Sequence, residues 1–303
     1  MPLSTIDASP VWRSLLSVPV NVPRFVDKAH DRGADGVILD LEDSVPASEK
    51  DSARGLVEAA AASVSQRGAD VLVRINRPLE MAVRDIEACI APGIAALMLP
   101  KVQSAGHIQL LAELVDRLEQ ERGMTHGSTR FIAMVETADA FLSLGEIAKA
   151  HPRMVSVVLG GEDFALDVGF KPDPVVYQYP KQQTLIAARA AGLMPLGLIG
   201  TVADYSDDEA FLDMVRNSAR FGMEGASCIH PRNVESLNIG FTPEADDVAL
   251  ARKILALDGE HAAQGRGSWE LDGKMIDVPV VERARRLVSR ADRIEAREAL
   301  KKA

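Results

Sequence analysis

The sequence has little cysteine, few aromatic residues and no excess of positive charge. Its only two cysteines, Cys89 and Cys228, lie in separate apolar segments. This spacing argues against a disulfide framework or a Cys/His zinc site, and it predicts two buried thiols in a reducing compartment. The formal net charge is −10. Because nucleic acids and anionic membranes require a basic surface, neither is expected as a partner.

Long hydrophobic runs are also missing. No apolar stretch of the sequence reaches the length of a membrane span. The first ten residues are polar and have neither a basic start nor the apolar core of a signal peptide. We therefore expect a cytoplasmic protein with no membrane partner.

The sequence does contain a regular alternation of short apolar strands and longer helical segments. Eight strands, each followed by a helix, predict a TIM barrel over residues 11–240. A doubly wound open sheet is the alternative, but no dinucleotide-binding fingerprint follows the first strand. The predicted strands are 12–18, 36–43, 70–75, 95–100, 130–135, 155–159, 195–199 and 225–229.

The last part of the chain, residues 241–303, exceeds what a barrel needs. It predicts a helical extension with a Gly-rich break at 264–268. We expect this extension to dock on a neighbouring subunit or to cover the mouth of the barrel.

Polar residues stand where several predicted strands end. In a barrel such side chains meet at one mouth, which is where the chemistry of this fold takes place. Several carboxylates in one mouth would repel each other, and Mg²⁺ would remove that conflict with one or two protein carboxylates as ligands. We predict Glu136 and Asp163 as those ligands. The full set is Asp40, Glu42, Asp43, Arg74, Lys101, Glu136, Asp163 and His230.

Each of these residues also has a simpler interpretation. A single acid after a strand is often only a helix N-cap or a solvated loop residue. Arg74 would suit a substrate carboxylate, which a guanidinium binds in a bidentate way, but it could instead pair with an acid of the barrel. Lys101 could be a Schiff-base nucleophile or a lysine paired with acids. His230 is better explained as a hydrogen-bonded residue at a strand end than as a ligand.

A pair of basic residues lies on the first predicted helix. Arg24 and Lys28 are four residues apart and therefore share one helix face. They could form a solvated face, or they could bind the phosphates of a nucleotide-like handle on a substrate.

Seven segments together resemble the HpcH/HpaI aldolase and citrate lyase β-subunit superfamily. The similarity is greatest to its citrate lyase β-like branch, which includes citryl-CoA, malyl-CoA and citramalyl-CoA lyases, and it extends over nearly the whole chain. The segments are RSLLSVP at 13–19, GVILDLEDSV at 36–45, VRIN at 73–76, LPKV at 99–102, VETA at 135–138, GEDF at 161–164 and IHP at 229–231.

The resemblance implies a TIM barrel that forms a homotrimer or hexamer. It implies Mg²⁺ on Glu136 and Asp163, and a substrate carboxylate on Arg74. It also implies a catalytic aspartate, Asp277, delivered by the C-terminal segment of an adjacent subunit. The implied roles of the remaining site residues are metal-bound water at Asp40, Glu42 and Asp43, and CoA contacts at Arg24 and Lys28.

The chain departs from the family's pattern where the acyl carrier should bind. Ser17 replaces a common aromatic residue and Val20 a common glycine. The usual Asp-Phe-Arg-Asp reads Asp-Tyr-Ser-Asp here, and it begins at Asp204, which is a candidate substrate-binding residue. These departures leave open whether the thioester is carried by CoA or by an acyl carrier protein.

The expected activity is Mg²⁺-dependent cleavage of a carbon–carbon bond. The substrate would be a 3-hydroxyacyl-CoA thioester with a nearby carboxylate, and the products a keto acid and an acyl-CoA such as acetyl-CoA. Two alternatives remain: an aldolase acting on free 2-keto-3-deoxy acids, and a citrate lyase β subunit that is active only with a carrier partner.

Overall fold

Seven parallel strands form one curled sheet at the centre of the fold. The computed structural model describes residues 10–200, 207–263 and 267–302. The order across the sheet is β6-β5-β4-β3-β2-β1-β7. The strands are β1 (Ser14–Pro19), β2 (Gly36–Asp40), β3 (Asp70–Arg74), β4 (Ile94–Leu99), β5 (Arg130–Val135), β6 (Met154–Leu159) and β7 (Ala226–Cys228).

The strands are apolar on both faces because helices pack outside the sheet and side chains fill its concave side. All five residues of β2 are buried, for example. The helices of this part are α1 (Pro23–Ala29), α2 (Lys50–Arg54), α3 (Val57–Val64), α4 (Leu79–Cys89), α5 (Ala105–Glu121), α6 (Ala138–Leu142), α7 (Leu144–Ala148), α8 (Gly161–Val168), α9 (Pro174–Ala190), α10 (Asp208–Phe221) and α11 (Asn233–Gly240).

The predicted strand at 195–199 does not form. A single parallel bridge, between Leu196 and Gly225, marks its place. The Met194 N–H donates to the carbonyl of Val155 in β6, and the Gly197 N–H donates to Gly225 just before β7. Pro195 has no N–H, and Gly197 has a φ of 141°, so neither can continue a regular ladder. The expected ring of eight strands is thus a curled sheet of seven, with one irregular segment between its two edges.

Helix α9 begins at Pro174, in a segment that contains several prolines. Asp173 accepts a hydrogen bond from the Val175 N–H, and Pro174 occupies the first helical position, which together form a typical helix start. Pro180 lies inside the helix. Pro174 and Pro180 are therefore both part of the helix, and its first turns include the buried Tyr177.

Buried ion pairs lie at the amino ends of the strands. Arg13, just before β1, donates from its backbone and guanidinium nitrogens to Asp35. Arg153, just before β6, pairs with Asp116 and Glu119 of α5. In barrel folds this end of the sheet contributes to stability rather than to chemistry.

The chain divides into two compact units, one ending at Phe241 and one beginning at Thr242. The second unit pairs α12 (Ala245–Ala263) with α13 (Val278–Lys302), and β8 (Trp269–Leu271) forms an antiparallel hairpin with β9 (Lys274–Ile276). Trp269 and Ile276 of this hairpin belong to a separate small core. The hairpin was not expected from the sequence. Docking of this unit on a neighbouring subunit stays a prediction.

The expectation of two buried thiols is confirmed. Cys89 and Cys228 are both buried and free, and burial raises the pKa of the Cys228 thiol to about 12. Among the described residues, every helix is too short or too polar to cross a membrane.

Gly225 lies very close to the backbone of Trp12. This close approach predicts how a substitution at Gly225 affects stability. A Cβ at this position would lie 1.7 Å from the Trp12 carbonyl oxygen. Since the obstacle is backbone, we expect Gly225→Ala to lower the free energy of unfolding by about 3 kcal/mol, as measured by urea denaturation.

The matched control is Gly145→Ala in α7, where a Cβ would meet nothing within 4 Å. Alanine favours a helix over glycine, so this variant should be up to about 1 kcal/mol more stable than the wild type. Equal stability of the two variants would contradict the close approach at Gly225.

Candidate active site

The carboxyl ends of the strands bring the predicted polar residues to one mouth. Asp40 ends β2 and is in register with Arg74, which ends β3. Lys101 follows β4, Glu136 follows β5 directly, and Asp163 lies in the first turn of α8 after β6. A cavity of about 240 Å³ opens here, with Arg74, Glu136 and Asp163 in its wall.

Arg74 is fixed by Asp40. Its Nε and Nη2 atoms each donate to one Asp40 oxygen at 2.7 Å, and Nη1 lies 2.9 Å from Glu42 Oε2. Asp40 also accepts from Ser44 and from the Glu42 N–H. Burial raises the pKa of Asp40, but the bonds from Arg74 and Ser44 outweigh it and hold the pKa below its usual value. Asp40 therefore orients Arg74, whose binding of a substrate carboxylate stays a prediction.

Lys101 lies among the acids of the mouth. Its Nζ is 2.7 Å from Glu42, 3.7 Å from Asp43 and 3.8 Å from Asp163. Burial lowers the pKa of Lys101, but Glu42 and its neighbours raise it above the usual value. A Schiff-base lysine needs the opposite shift, so this environment favours the paired interpretation over the nucleophile.

The backbone of Lys101 has a second role. Its φ of 48° is in the left-handed region, which is uncommon for a residue with a side chain. In this conformation the Lys101 N–H donates to Glu136 Oε2 at 2.7 Å. The turn after β4 thus holds one oxygen of Glu136 in place.

Glu136 is a buried carboxylate that forms no ion pair with any of the residues that the structure describes. Its side chain packs so closely on Gly160 that a Cβ there would lie 2.5 Å from Oε1. Burial, and then the charges of Asp163 and Glu42, raise the pKa of Glu136 to about 7. A divalent cation would reverse this shift, and oxygen donors are those that Mg²⁺ prefers. Glu136 and Asp163 thus fit the predicted magnesium site.

A second group of potential ligands lies at the opposite end of the sheet. Oxygen or nitrogen atoms of Asp116, Glu119 and His126 lie within 4.8 Å of one another. The Arg153 guanidinium already binds both acids. Burial raises the pKa of Glu119, but hydrogen bonds from Arg153 and from backbone N–H groups lower it to about 2. Because an arginine already neutralises this group, we assign it a structural role.

The other predicted residues are only partly brought to the mouth. Glu42 is buried between Arg74 and Lys101, whereas the Asp43 side chain is 60% exposed. Arg24 and Lys28 are exposed on α1. His230 accepts a hydrogen bond from the Arg232 N–H, in keeping with a residue at a strand end.

The structure does not test the predicted roles of Asp204 and Asp277. Asp204 falls outside the described residues. Asp277 belongs to the C-terminal unit, where its carboxylate accepts a hydrogen bond from the Val280 N–H at the start of α13. Its catalytic role stays a prediction.

The sequence reasoning missed one side of the cavity. Tyr177, Lys181 and Thr184 of α9 line it. Their spacing of four and three residues places them on one helix face. The signal was present in Asp173 and Pro174, an N-cap followed by a first-turn proline, but the other prolines obscured it.

The raised pKa of Glu136 predicts how stability depends on pH without metal. The folded protein holds this proton more tightly than the unfolded chain, so stability falls as pH rises from about 4.5 to about 7. We expect Glu136→Gln to be near neutral at pH 5 and to stabilise the protein by about 3 kcal/mol at pH 8. Urea denaturation with a chelator would measure this. An identical effect at both pH values would contradict the shift.

Known proteins of one family are similar to this chain over most of its length. The model of the family described as HpcH/HpaI aldolase/citrate lyase matches residues 13–231. The citrate lyase subunit beta of Leuconostoc mesenteroides subsp. cremoris is 34% identical over 92% of this chain and 93% of its own. A (3S)-malyl-CoA thioesterase of Cereibacter sphaeroides is 32% identical over 94% and 96%.

Solved structures show the same similarity. The Mycobacterium tuberculosis protein CitE, in complex with magnesium, acetoacetate and coenzyme A, has a TM-score of 0.72 and 29% identity, covering 94% of this chain and 99% of its own. The citrate lyase beta subunit of that organism with oxaloacetate and magnesium has a TM-score of 0.63 and 28% identity, covering 79% and 100%. The resemblance read from the sequence is confirmed: this chain belongs to the HpcH/HpaI aldolase/citrate lyase family.

Proposed function

We propose that this protein is a Mg²⁺-dependent carbon–carbon lyase. Its substrate is a 3-hydroxyacyl-CoA thioester that bears a carboxylate, of the citryl, malyl or citramalyl type. Its products are a keto acid and an acyl-CoA such as acetyl-CoA. The observation that carries the proposal is the buried Glu136 carboxylate beside Asp163, with a pKa raised to about 7 and with Gly160 making room for it.

The relatives support the proposed substrate class and the magnesium requirement. Their names combine citrate lyase with malyl-CoA chemistry. The M. tuberculosis structures contain magnesium with coenzyme A, acetoacetate or oxaloacetate. The family is described as HpcH/HpaI aldolase/citrate lyase, and this description supports an enzyme of the lyase class.

The curled sheet corresponds to an incompletely closed TIM barrel. The segment from Met194 to Gly197 occupies the place of the missing strand. Arg24 and Lys28 are exposed on α1, which begins four residues after β1 ends. They would bind the CoA handle outside the mouth, and Asp204 would contribute to substrate binding. The active form is a homotrimer or hexamer.

The residues of the mouth have different roles in the reaction. Glu136 and Asp163 would hold Mg²⁺, which supplies a Lewis acid for the substrate oxygens when it is bound. Asp40 orients Arg74, and the guanidinium binds the carboxylate of the substrate. Glu42 and Asp43 hold water in the mouth, and Lys101 offsets the charges of the neighbouring acids.

Bond cleavage then needs two proton movements. A base in the mouth accepts the proton of the 3-hydroxyl group, whose oxygen forms the carbonyl group of the keto acid. The bond between the two carbons breaks, and its electron pair becomes a thioester enolate. Arg74 offsets the developing charge. Asp277 of a neighbouring subunit delivers a proton to the enolate carbon, which completes the acyl-CoA product.

Thioester hydrolysis is a second candidate, because relatives that are 30–32% identical are named (3S)-malyl-CoA thioesterase. Product analysis separates the two activities, since hydrolysis releases free CoA and an intact hydroxy acid. An aldolase would add pyruvate to an aldehyde without CoA. A citrate lyase β subunit would be inactive on CoA thioesters unless its carrier protein is present.

The test of the proposal is an assay of purified protein with Mg²⁺ on citryl-CoA, malyl-CoA and citramalyl-CoA. We expect one or more of them to release acetyl-CoA and a keto acid, and a chelator to stop the reaction. Glu136→Gln and Asp163→Asn should each reduce turnover by at least about 10³-fold, because each removes a ligand charge at the cation.

The matched control removes the potential ligand at the other end of the sheet. His126 has an exposed side chain beside Asp116 and Glu119, so His126→Ala should keep wild-type turnover and magnesium dependence. Magnesium-dependent turnover that survives in Asp163→Asn but is lost in His126→Ala would refute the proposed site.

The role of Asp277 gives a separate prediction. Asp277→Asn should keep Mg²⁺ binding, measured by calorimetry, and lose turnover by about 10²–10⁴-fold, the usual contribution of a positioned acid. If Asp277 acts in a neighbouring subunit, refolding Asp277→Asn together with Arg74→Met should restore part of the activity, because some mixed oligomers contain an intact site. No restoration in confirmed mixed oligomers would contradict delivery by a neighbour.

A further inference from the structure

Lys181 is a buried cation in the wall of the cavity that the proposed reaction does not use. It is 7% exposed and lies on the same face of α9 as Tyr177 and Thr184. Its Nζ lies 4.3 Å from the centre of the Tyr177 ring and donates to the Gly200 carbonyl. A charged side chain at this depth loses much of its hydration, so it requires an explanation.

The contacts of Lys181 leave hydrogen-bonding capacity unused. An ammonium group has three donors, and one hydrogen bond of Lys181 Nζ is found within the described ranges. In the same part of the chain no carboxylate lies within the 4 Å of an ion pair. Burial lowers the pKa of Lys181 to about 8, while Glu162 acts in the opposite direction. Within the described ranges, the protonated group therefore has one hydrogen-bond acceptor and no carboxylate at ion-pair distance.

The position of Lys181 separates it from the proposed cation site. Gly160 packs against Glu136, and the next residue, Gly161, packs against Tyr177, whose hydroxyl donates to the Gly161 carbonyl at 3.0 Å. Lys181 Nζ lies over the face of the Tyr177 ring. The wall of the cavity thus contains the acidic residues together with Arg74. It also contains a second positive group, Lys181.

We propose that Lys181 binds a second carboxylate of the substrate and thereby makes the site selective for keto acids with two carboxylates, such as oxaloacetate. This inference rests on the proposed function, because the first carboxylate is taken to bind at Arg74 and the cation. A carboxylate would fill the unused donors of Lys181 and neutralise its charge. A methyl group in that place would leave the ammonium buried and unpaired.

Two ligands of equal length test the proposal. Oxaloacetate and 2-oxobutyrate differ only in a terminal carboxylate in place of a methyl group. With Mg²⁺ present, we expect the wild-type protein to bind oxaloacetate about 10- to 100-fold more tightly, in the range of one charge-assisted hydrogen bond. Isothermal titration calorimetry on the full chain measures both dissociation constants.

Lys181→Met removes the charge and keeps most of the side-chain volume. It should abolish the preference by weakening oxaloacetate binding, while 2-oxobutyrate binding stays within about 2-fold. Lys149→Met makes the same change at an exposed lysine of the surface and should leave the preference intact. If Lys181 only stabilises the structure through Gly200, Lys181→Met should weaken the binding of both ligands equally. That result would overturn the proposal.

The outcomes distinguish this inference from the proposed function. If the wild-type protein binds both keto acids equally, Lys181 does not bind a carboxylate but the lyase proposal stands. If the wild-type protein binds neither ligand with Mg²⁺, the proposed function fails and this inference fails with it. The wild-type comparison needs no variant, so the inference remains testable even if Lys181→Met does not fold.

Discussion

Electrostatic repulsion at one end of the sheet is the constraint on which the rest of the site depends. The mouth contains the carboxylates of Asp40, Glu42, Asp43, Glu136 and Asp163, whereas Arg74 and Lys101 are the cations in direct contact with them. Arg74 satisfies Asp40 fully and Lys101 satisfies Glu42. Glu136 receives a single backbone hydrogen bond from Lys101, which is less than burial requires, so its pKa rises. The fold therefore keeps one carboxylate in a state that only a proton or an added cation relieves.

The two ends of the sheet use the same residue types for opposite purposes. At the amino ends, Arg153 and Glu119 form a closed set in which hydrogen bonds outweigh burial and lower the pKa of the acid. At the carboxyl ends, Glu136 lacks such an arginine and its pKa rises. A cluster of acids is thus a poor guide to a metal site by itself. What distinguishes the two ends is whether an arginine of the chain already neutralises the acids.

The sequence predicted what depends on local pattern and failed where the backbone becomes irregular. Seven strands were recognisable because each is a short apolar run, and Glu136 and Asp163 because each follows such a run. The strand at 195–199 was wrong, since Pro195 and Gly197 prevent a ladder although the segment is apolar. Lys181 was missed because it lies within helix α9 and not at the end of a strand. The pairing of Arg74 with Asp40 is a matter of register between β2 and β3, which no single segment reveals.

The glycine pair after β6 links these observations. A side chain at Gly160 would overlap Glu136, and one at Gly161 would press on the Tyr177 hydroxyl. The same dipeptide therefore allows a buried acid on one side and the ring that covers Lys181 on the other. Because Asp163 follows two residues later, the first turn of α8 places the second acid from the same short segment. The site is thus built around a backbone that comes unusually close to its neighbours. For this reason the chemistry of the cavity depends on two residues that have no side chain of their own.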